Sequence, residues 1–469
     1  MPTDGPRTIT AAADLIRRGK LTPSELLEQC LARIDRYEER VKAWVVVDRA
    51  GAREQAERLT AELKAGTNRG PLHGIPVGIK DIIDVFDLPT GCGSKLWANS
   101  IARRDATCVA RLRQAGAVIL GKTVTTAFAY IDPPVTRNPW NLERTPGGSS
   151  SGSAAAVACG MVLGALGTQT GGSVTRPASY CGVCSLKPTF SRISVDGVLP
   201  FAPSLDHVGV MANCVRDLAI LLQAIAGEDP RDPTCSWRPV PECVGRIDDS
   251  LARLEAGTED RWLPRPGYLH PRSFFADRVT PEVAAFMDRV ELDLRSLAHS
   301  DAIVHRVILP PGFADVHRQH RLIMAVEAAE VHGRRLARHP DDYPPRIREL
   351  IEEGQRVMAT EYREARLARD QLADEFSEFH RLEPLLTPAT LDPAPSPDTT
   401  GSPWCNAPWS FLGTPSVSLQ LGWSADGLPL AVQLVGAEWG EDSLLTRASV
   451  AEYVFRRDNA FEPRPLPLD

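Results

Sequence analysis

The sequence has no apolar run long enough to cross a bilayer. The longest, 154–167, falls short of the roughly 20 residues that a membrane helix needs. Residues 1–7 lack the charged-then-apolar layout of a signal peptide, so the expectation is a soluble, cytoplasmic protein with no membrane partner. Excess positive charge is absent too: 53 Lys and Arg stand against 60 Asp and Glu, a formal charge of −7, which gives no electrostatic reason to bind nucleic acid. Disorder is excluded, because 43% hydrophobic and 24% charged residues over 469 positions describe a globular chain with a large core. The ten cysteines are scattered and do not form the dense framework of a small secreted domain, so they are expected to be reduced. Cys181 and Cys184 form a CxxC, but no second CxxC or His pair completes a tetrahedral metal site. No internal repeat is found.

The first 65 residues read as helical. Thr22, Pro23 and Glu25 make a capping-box start, Leu26, Leu27, Cys30, Leu31 and Ile34 share one face, and a second helix is expected over 50–65. From 70 to 228, short apolar runs such as 75–79 and 117–120 alternate with helical stretches, the pattern of an α/β sheet covered by helices. Residues 229–320 begin as an aperiodic excursion and continue into an amphipathic helix over 280–298. The segment 321–469 holds charged helices to about 380, an extended loop with six prolines in 384–403, paired strands over 415–434 and a closing helix over 443–455.

Two signatures match by letter and fail on context. Gly116, Gly121, Lys122 and Thr123 fit GxxxxGK[ST], but a phosphate cradle needs flexible residues where this chain has Ala117, Val118, Ile119 and Leu120, a buried strand. Gly148, Ser150 and Gly152 fit GxSxG. A nucleophile elbow requires a hydrophobic strand running into the turn, and a polar, proline-bearing loop precedes this one.

A combination carries more weight. The loop 147–153 (GGSSSGS) and the loop 167–173 (GTQTGGS) flank an uncharged stretch, 154–166, expected to be a buried helix that holds both rigidly. Glycine and serine in either loop alone would only mean turns and caps. Together they let the Gly-Gly-Ser turn 171–173 point consecutive N–H groups into one concavity, an oxyanion hole, beside an exposed Ser173 hydroxyl. Ser173 then needs a base. Lys80 ends the apolar run 74–79, where a lysine is partly desolvated; neutrality near pH 7 would need a shift of about three units, or about 4 kcal/mol. A solvated surface lysine is the plain alternative.

The segments HGIPVGIKD (73–81), TRNPWN (136–141), 147–153, GTQTGGSVTRPA (167–178) and CGVCSLKPT (181–189) resemble, in this order, the amidase signature family. The similarity covers most of the chain outside about 230–320. The resemblance implies one amidase domain over 1–469, built on a large mixed sheet covered on both faces by helices, with 229–320 as a variable insertion. It implies an amidase that forms an acyl-enzyme without metal or cofactor: Ser173 attacks the carbonyl, Ser149, in a cis peptide, relays the proton, Lys80 is the ultimate base, and backbone N–H groups around Thr170, Gly171, Gly172 and Ser173 bind the oxyanion. It implies a small-molecule amide substrate and leaves a homodimer open. Departures from the family pattern are Gln169 for the usual Asp, Thr175 for an Arg that here comes one position later as Arg176, Ser151 for a common Gly, and Ala127 for a frequent Glu. They leave the three catalytic candidates in place and bear on how the Ser173 loop is braced. They also separate the chain from the A subunit of the tRNA-dependent glutamine amidotransferase. That glutaminase reading and a noncatalytic assembly member remain the rivals. Arg176, Arg318 and Arg321 are candidates to meet a carboxylate on the substrate, though such arginines usually pair with nearby acids.

Overall fold

The computed structural model describes residues 5–257, 267–268, 275, 278–297, 305–379, 384–457 and 463–468. Its centre is one mixed sheet of eleven strands: β1 Trp44–Val47, β2 Pro76–Lys80, β3 Val118–Thr123, β4 Gly164–Gln169, β5 Cys184–Lys187, β6 His207–Ala212, β7 Gly267–Tyr268, β8 His305–Arg306, β9 Leu385–Pro388, β10 Ser416–Trp423 and β11 Pro429–Val435. The order across the sheet is β1-β3-β2-β4-β6-β5-β10-β11-β9-β7-β8. Strands β3, β2 and β4 run parallel, and the pairs from β4 to β9 are antiparallel. No helix among the described residues is long and apolar enough to cross a membrane.

The local rules that shape the first helices act as expected. Helix Pro23–Val41 starts on a full capping box, with the Thr22 and Glu25 side chains and backbones bonded reciprocally, and Arg49–Lys64 is capped by Asp48. The apolar run at 117–120 becomes β3 and that at 75–79 becomes β2, both wholly buried. Helices Pro281–Leu297, Val316–Arg338, Pro345–Gly354, Ala359–Phe379 and Glu441–Arg457 occupy the charged, periodic segments.

Two expectations change. The stretch 154–166 is not one helix: Ser151–Ala158 ends at Gly160, whose φ of +67° is left-handed, and the chain re-enters the sheet as β4. An apolar run buried on all sides carries no periodicity that separates strand from helix. The proline-rich segment is also not loop throughout, because β9 lies within it and pairs with β11. Helix Cys243–Glu255 orders part of the aperiodic excursion; much of 258–277 lies outside the described residues.

The parallel arrangement positions the site. Because β2, β3 and β4 point the same way, Lys80, Thr123 and Gln169 all fall at one edge of the sheet, where the two Gly/Ser loops meet. Gly152 lets them meet closely: a Cβ there would lie 2.2 Å from the Ala43 carbonyl oxygen and 2.3 Å from the Val124 nitrogen.

Candidate active site

Lys80, the last residue of β2, is fully buried, and its Nζ donates to Ser149 Oγ at 2.7 Å and to Thr168 Oγ1 at 2.7 Å. Burial pushes its ammonium well below the ordinary lysine range; the Asp206 carboxylate opposes that shift and the Arg176 guanidinium reinforces it. Lys80 is therefore not the surface lysine of the plain reading. Ser149 follows a cis Gly148–Ser149 peptide, and its carbonyl accepts from the Thr126 N–H at 3.2 Å. The next residue ties the loops together, since Ser150 N–H donates to the Ser173 carbonyl at 3.2 Å.

Ser173 lies on the loop after β4 and lines a cavity of about 410 Å³ together with Thr170, Gly171 and Gly172. Helix Val316–Arg338 adds His317, His320 and Met324 to the lining, and Trp404 joins them, stacked by His317 at 3.8 Å and covered by the Arg278 guanidinium at 3.7 Å. Burial holds His320 near 4, so its ring is neutral and its Nε2–H donates to the Thr170 carbonyl at 3.0 Å. Of the three candidate arginines, Arg318 pairs with Asp315 and Arg321 with Glu353, at 3.0 and 2.6 Å. Arg176 makes no ion pair among the described residues. Its Nη2 donates to the Gly148 carbonyl at 2.7 Å, while Nε and Nη1 are buried with no hydrogen-bond partner among the described residues.

The departures around Ser173 have a structural account. Gln169 Oε1 accepts from the backbone N–H groups of Val174 and Thr175, at 2.9 and 3.0 Å, which fixes the turn that presents Ser173. Its Nε2 donates to Ser410 Oγ, and Ser410 in turn donates to the Gly171 carbonyl, at 3.1 Å each. A carboxylate could supply the first pair of contacts but not the donation to Ser410. Arg176 braces the other loop through Gly148. Thr175 Oγ1 is buried and makes no hydrogen bond among the described residues.

Three contributors went unmarked in the sequence reading. Thr168 anchors Lys80. Asp206 accepts from Thr170 Oγ1 at 2.5 Å and from the N–H groups of Phe201 and Ala202. Thr168 lies inside the family-like segment 167–178. Ser410 lies 241 positions from Gln169 and 239 from Gly171, and nothing in its own neighbourhood signalled the contact.

The letter-matched motifs have other uses here. Lys122 forms a buried ion pair with Asp81 at 2.9 Å and donates to the Pro89 carbonyl and Thr90. Ser150 Oγ is engaged with the backbone of Thr168, at 3.2 and 3.3 Å, so it is not an exposed nucleophile. Cys181 and Cys184 are free and buried, with both thiols pushed well above the ordinary range by burial. No group of three His, Cys, Asp or Glu among the described residues is placed to hold a metal ion.

Known proteins resemble this chain over most of its length. The profile of the Amidase family matches residues 25–445. The glutamyl-tRNA(Gln) amidotransferase A subunit of Roseiflexus sp. (strain RS-1) is 37% identical, over 93% of this chain and 94% of its own. A putative amidase AmiD of Mycobacterium tuberculosis (strain ATCC 25618 / H37Rv) is 34% identical, over 98% and 96%. Among solved structures, the native peptide amidase from Stenotrophomonas maltophilia superposes with a TM-score of 0.82 at 28% identity, covering 99% of this chain and all of that one. A chain from a vestigial protein complex that reveals the evolutionary origins of an s-triazine catabolic enzyme reaches 0.86 at 30% identity, over 97% and 99%.

Proposed function

The chain belongs to the amidase family, that of the amidase signature enzymes, and from this membership we propose that it hydrolyses an amide C–N bond to a carboxylate and ammonia or an amine, with Ser173 as nucleophile, Ser149 as relay and Lys80 as base. The observation that carries the assignment is the buried Lys80 amine 2.7 Å from Ser149 Oγ, on a loop whose next residue, Ser150, bonds to Ser173, itself in the lining of a cavity. A neutral lysine accepts the Ser173 proton through Ser149 as Ser173 Oγ bonds to the carbonyl carbon. The backbone N–H groups of Thr170, Gly171, Gly172 and Ser173 face the developing oxyanion. When the C–N bond breaks, the nitrogen takes the relayed proton, and water then repeats the sequence on the acyl-enzyme.

Arg176, in the lining of the cavity, supports an acyl portion rich in acceptor oxygens, such as a carboxylate, because its Nε and Nη1 have no hydrogen-bond partner among the described residues. Ammonia or amine release across a panel of aliphatic, aromatic, ureido and carboxylated amides tests both points. Wild-type turnover that falls at least a thousandfold in Ser173→Ala and in Lys80→Ala supports the triad; turnover at the wild-type rate in either overturns it.

A glutaminase reading draws on the 37% identity to an amidotransferase A subunit over nearly its full length. Glutamine as the best substrate, with transamidation of a charged tRNA when partner subunits are added, would select it. The noncatalytic reading rested on the altered brace, and Gln169 supplies the contacts that brace needs. Labelling of Ser173 by a fluorophosphonate, lost in Ser173→Ala, is the expected result against it.

A further inference from the structure

A second cavity, of about 250 Å³, lies on the other flank of the strip 168–173. It is lined by Thr168 and Asp206, by the apolar Ile82, Val198, Leu199 and Phe201, and by the exposed Arg231. The two cavities share Ala129, Thr170 and Phe201, and Tyr130, which lines the first, stacks on the Phe201 ring with centroids 5.5 Å apart. The oxyanion donors and Ser173 thus line the first cavity, while Thr168, which holds Lys80, lines the second.

We propose that this second cavity receives the amine side of the substrate, and that the enzyme accepts secondary amides whose nitrogen carries an apolar group of aryl or short alkyl size. The inference rests on the catalytic reading above. Once Ser173 Oγ has bonded to the carbonyl carbon, the oxygen occupies the Gly171–Ser173 N–H groups, and the nitrogen must turn towards Ser149 to receive the relayed proton. Ser149 and Lys80 lie on the Thr168 side, so a substituent on that nitrogen extends into the second cavity. As the C–N bond breaks, its electron pair takes the proton and a neutral amine departs along an apolar wall. The carboxylates in its lining are already engaged, Asp206 by Thr170, Phe201 and Ala202, Asp196 by Arg104, and Asp232 by the Val195 and Thr234 N–H groups, so they offer little to a cationic amine. A cavity of roughly 150 Å³ accommodates benzene, so this one suits an aniline-sized group.

The test compares the primary amide and the anilide of one acid, the acid being that whose amide the wild-type enzyme turns over best. In Leu199→Trp, which fills the second cavity without touching the catalytic groups, kcat/KM for the anilide should fall at least tenfold while that for the primary amide stays within twofold. Aniline should inhibit the wild type competitively against the anilide and lose that inhibition in Leu199→Trp, and Leu199→Ala should favour bulkier amines. Equal losses on both substrates, no change on either, or a wild type that never cleaves the anilide would overturn the proposal. Failure of the catalytic reading looks different: no amide of any kind is cleaved and Ser173 is not labelled.

Discussion

Lys80 has a charge state that depends on its neighbours, which gives the site a pH signature. Its pKa in the folded protein lies below the roughly 10.4 of an unfolded lysine, so the unfolded chain binds more protons between those two values. Stability from this group therefore increases as pH rises through that window, and the buried ammonium is a cost below it. For the amidase activity, kcat/KM should climb with pH on a limb whose midpoint is well below 10.4. Asp206 favours the ammonium, so Asp206→Asn should move that limb to lower pH; a pH–rate profile on the best substrate checks the sign. Gln169 makes the other residue-scale prediction. Gln169→Ala leaves the Val174 and Thr175 N–H groups buried without an acceptor and should cost about 2–4 kcal/mol, read by denaturant unfolding. Gln169→Glu keeps the acceptor and should recover most of that loss. The sequence singled out Gln169 as a departure but could not say what it bonds, because its partners depend on how the following turn closes.

Among elements, the parallel trio β3, β2 and β4 decides where the chemistry sits, and its tolerance for change is small. The Asp81–Lys122 pair binds the end of β2 to β3 with both side chains at or below 1% exposure. Lys122→Met would leave Asp81 as a buried charge without its cation, at about 3–5 kcal/mol. The expected outcome is a lowered thermal midpoint, relieved in part by adding Asp81→Leu, with no nucleotide-dependent effect. Gly152→Ala would drive a methyl group into the backbone of Ala43 and Val124, and the expected loss is about 3 kcal/mol or more. Strands β2 and β3 were legible as apolar runs, and the helix starts as caps. The end of helix Ser151–Ala158 was not, since only the left-handed turn at Gly160 divides an evenly apolar stretch into helix and strand.

Across the whole molecule, the antiparallel β5–β10 contact joins the signature region to the C-terminal strands, and the C-terminal part returns Thr400 and Ser410 to the two Gly/Ser loops. A chain truncated after residue 383 should therefore lose fluorophosphonate labelling at Ser173 even where the signature segment is intact, as intact-protein mass spectrometry would show. The sequence alone determined the family resemblance, the catalytic candidates Lys80, Ser149 and Ser173, the rejection of the P-loop and nucleophile-elbow matches, and the positions of most helices. These follow from residue types at short spacing, where caps, periodicity and turn chemistry are set by neighbours along the chain. Only the tertiary structure decided that Arg318 and Arg321 are paired while Arg176 has no ion pair among the described residues, that Gln169 and Ser410 clasp the Ser173 loop, and that two cavities meet at Thr170. Those features depend on contacts between segments as far as 241 positions apart, and a side chain's partner at that range is fixed by sheet order and packing rather than by local sequence.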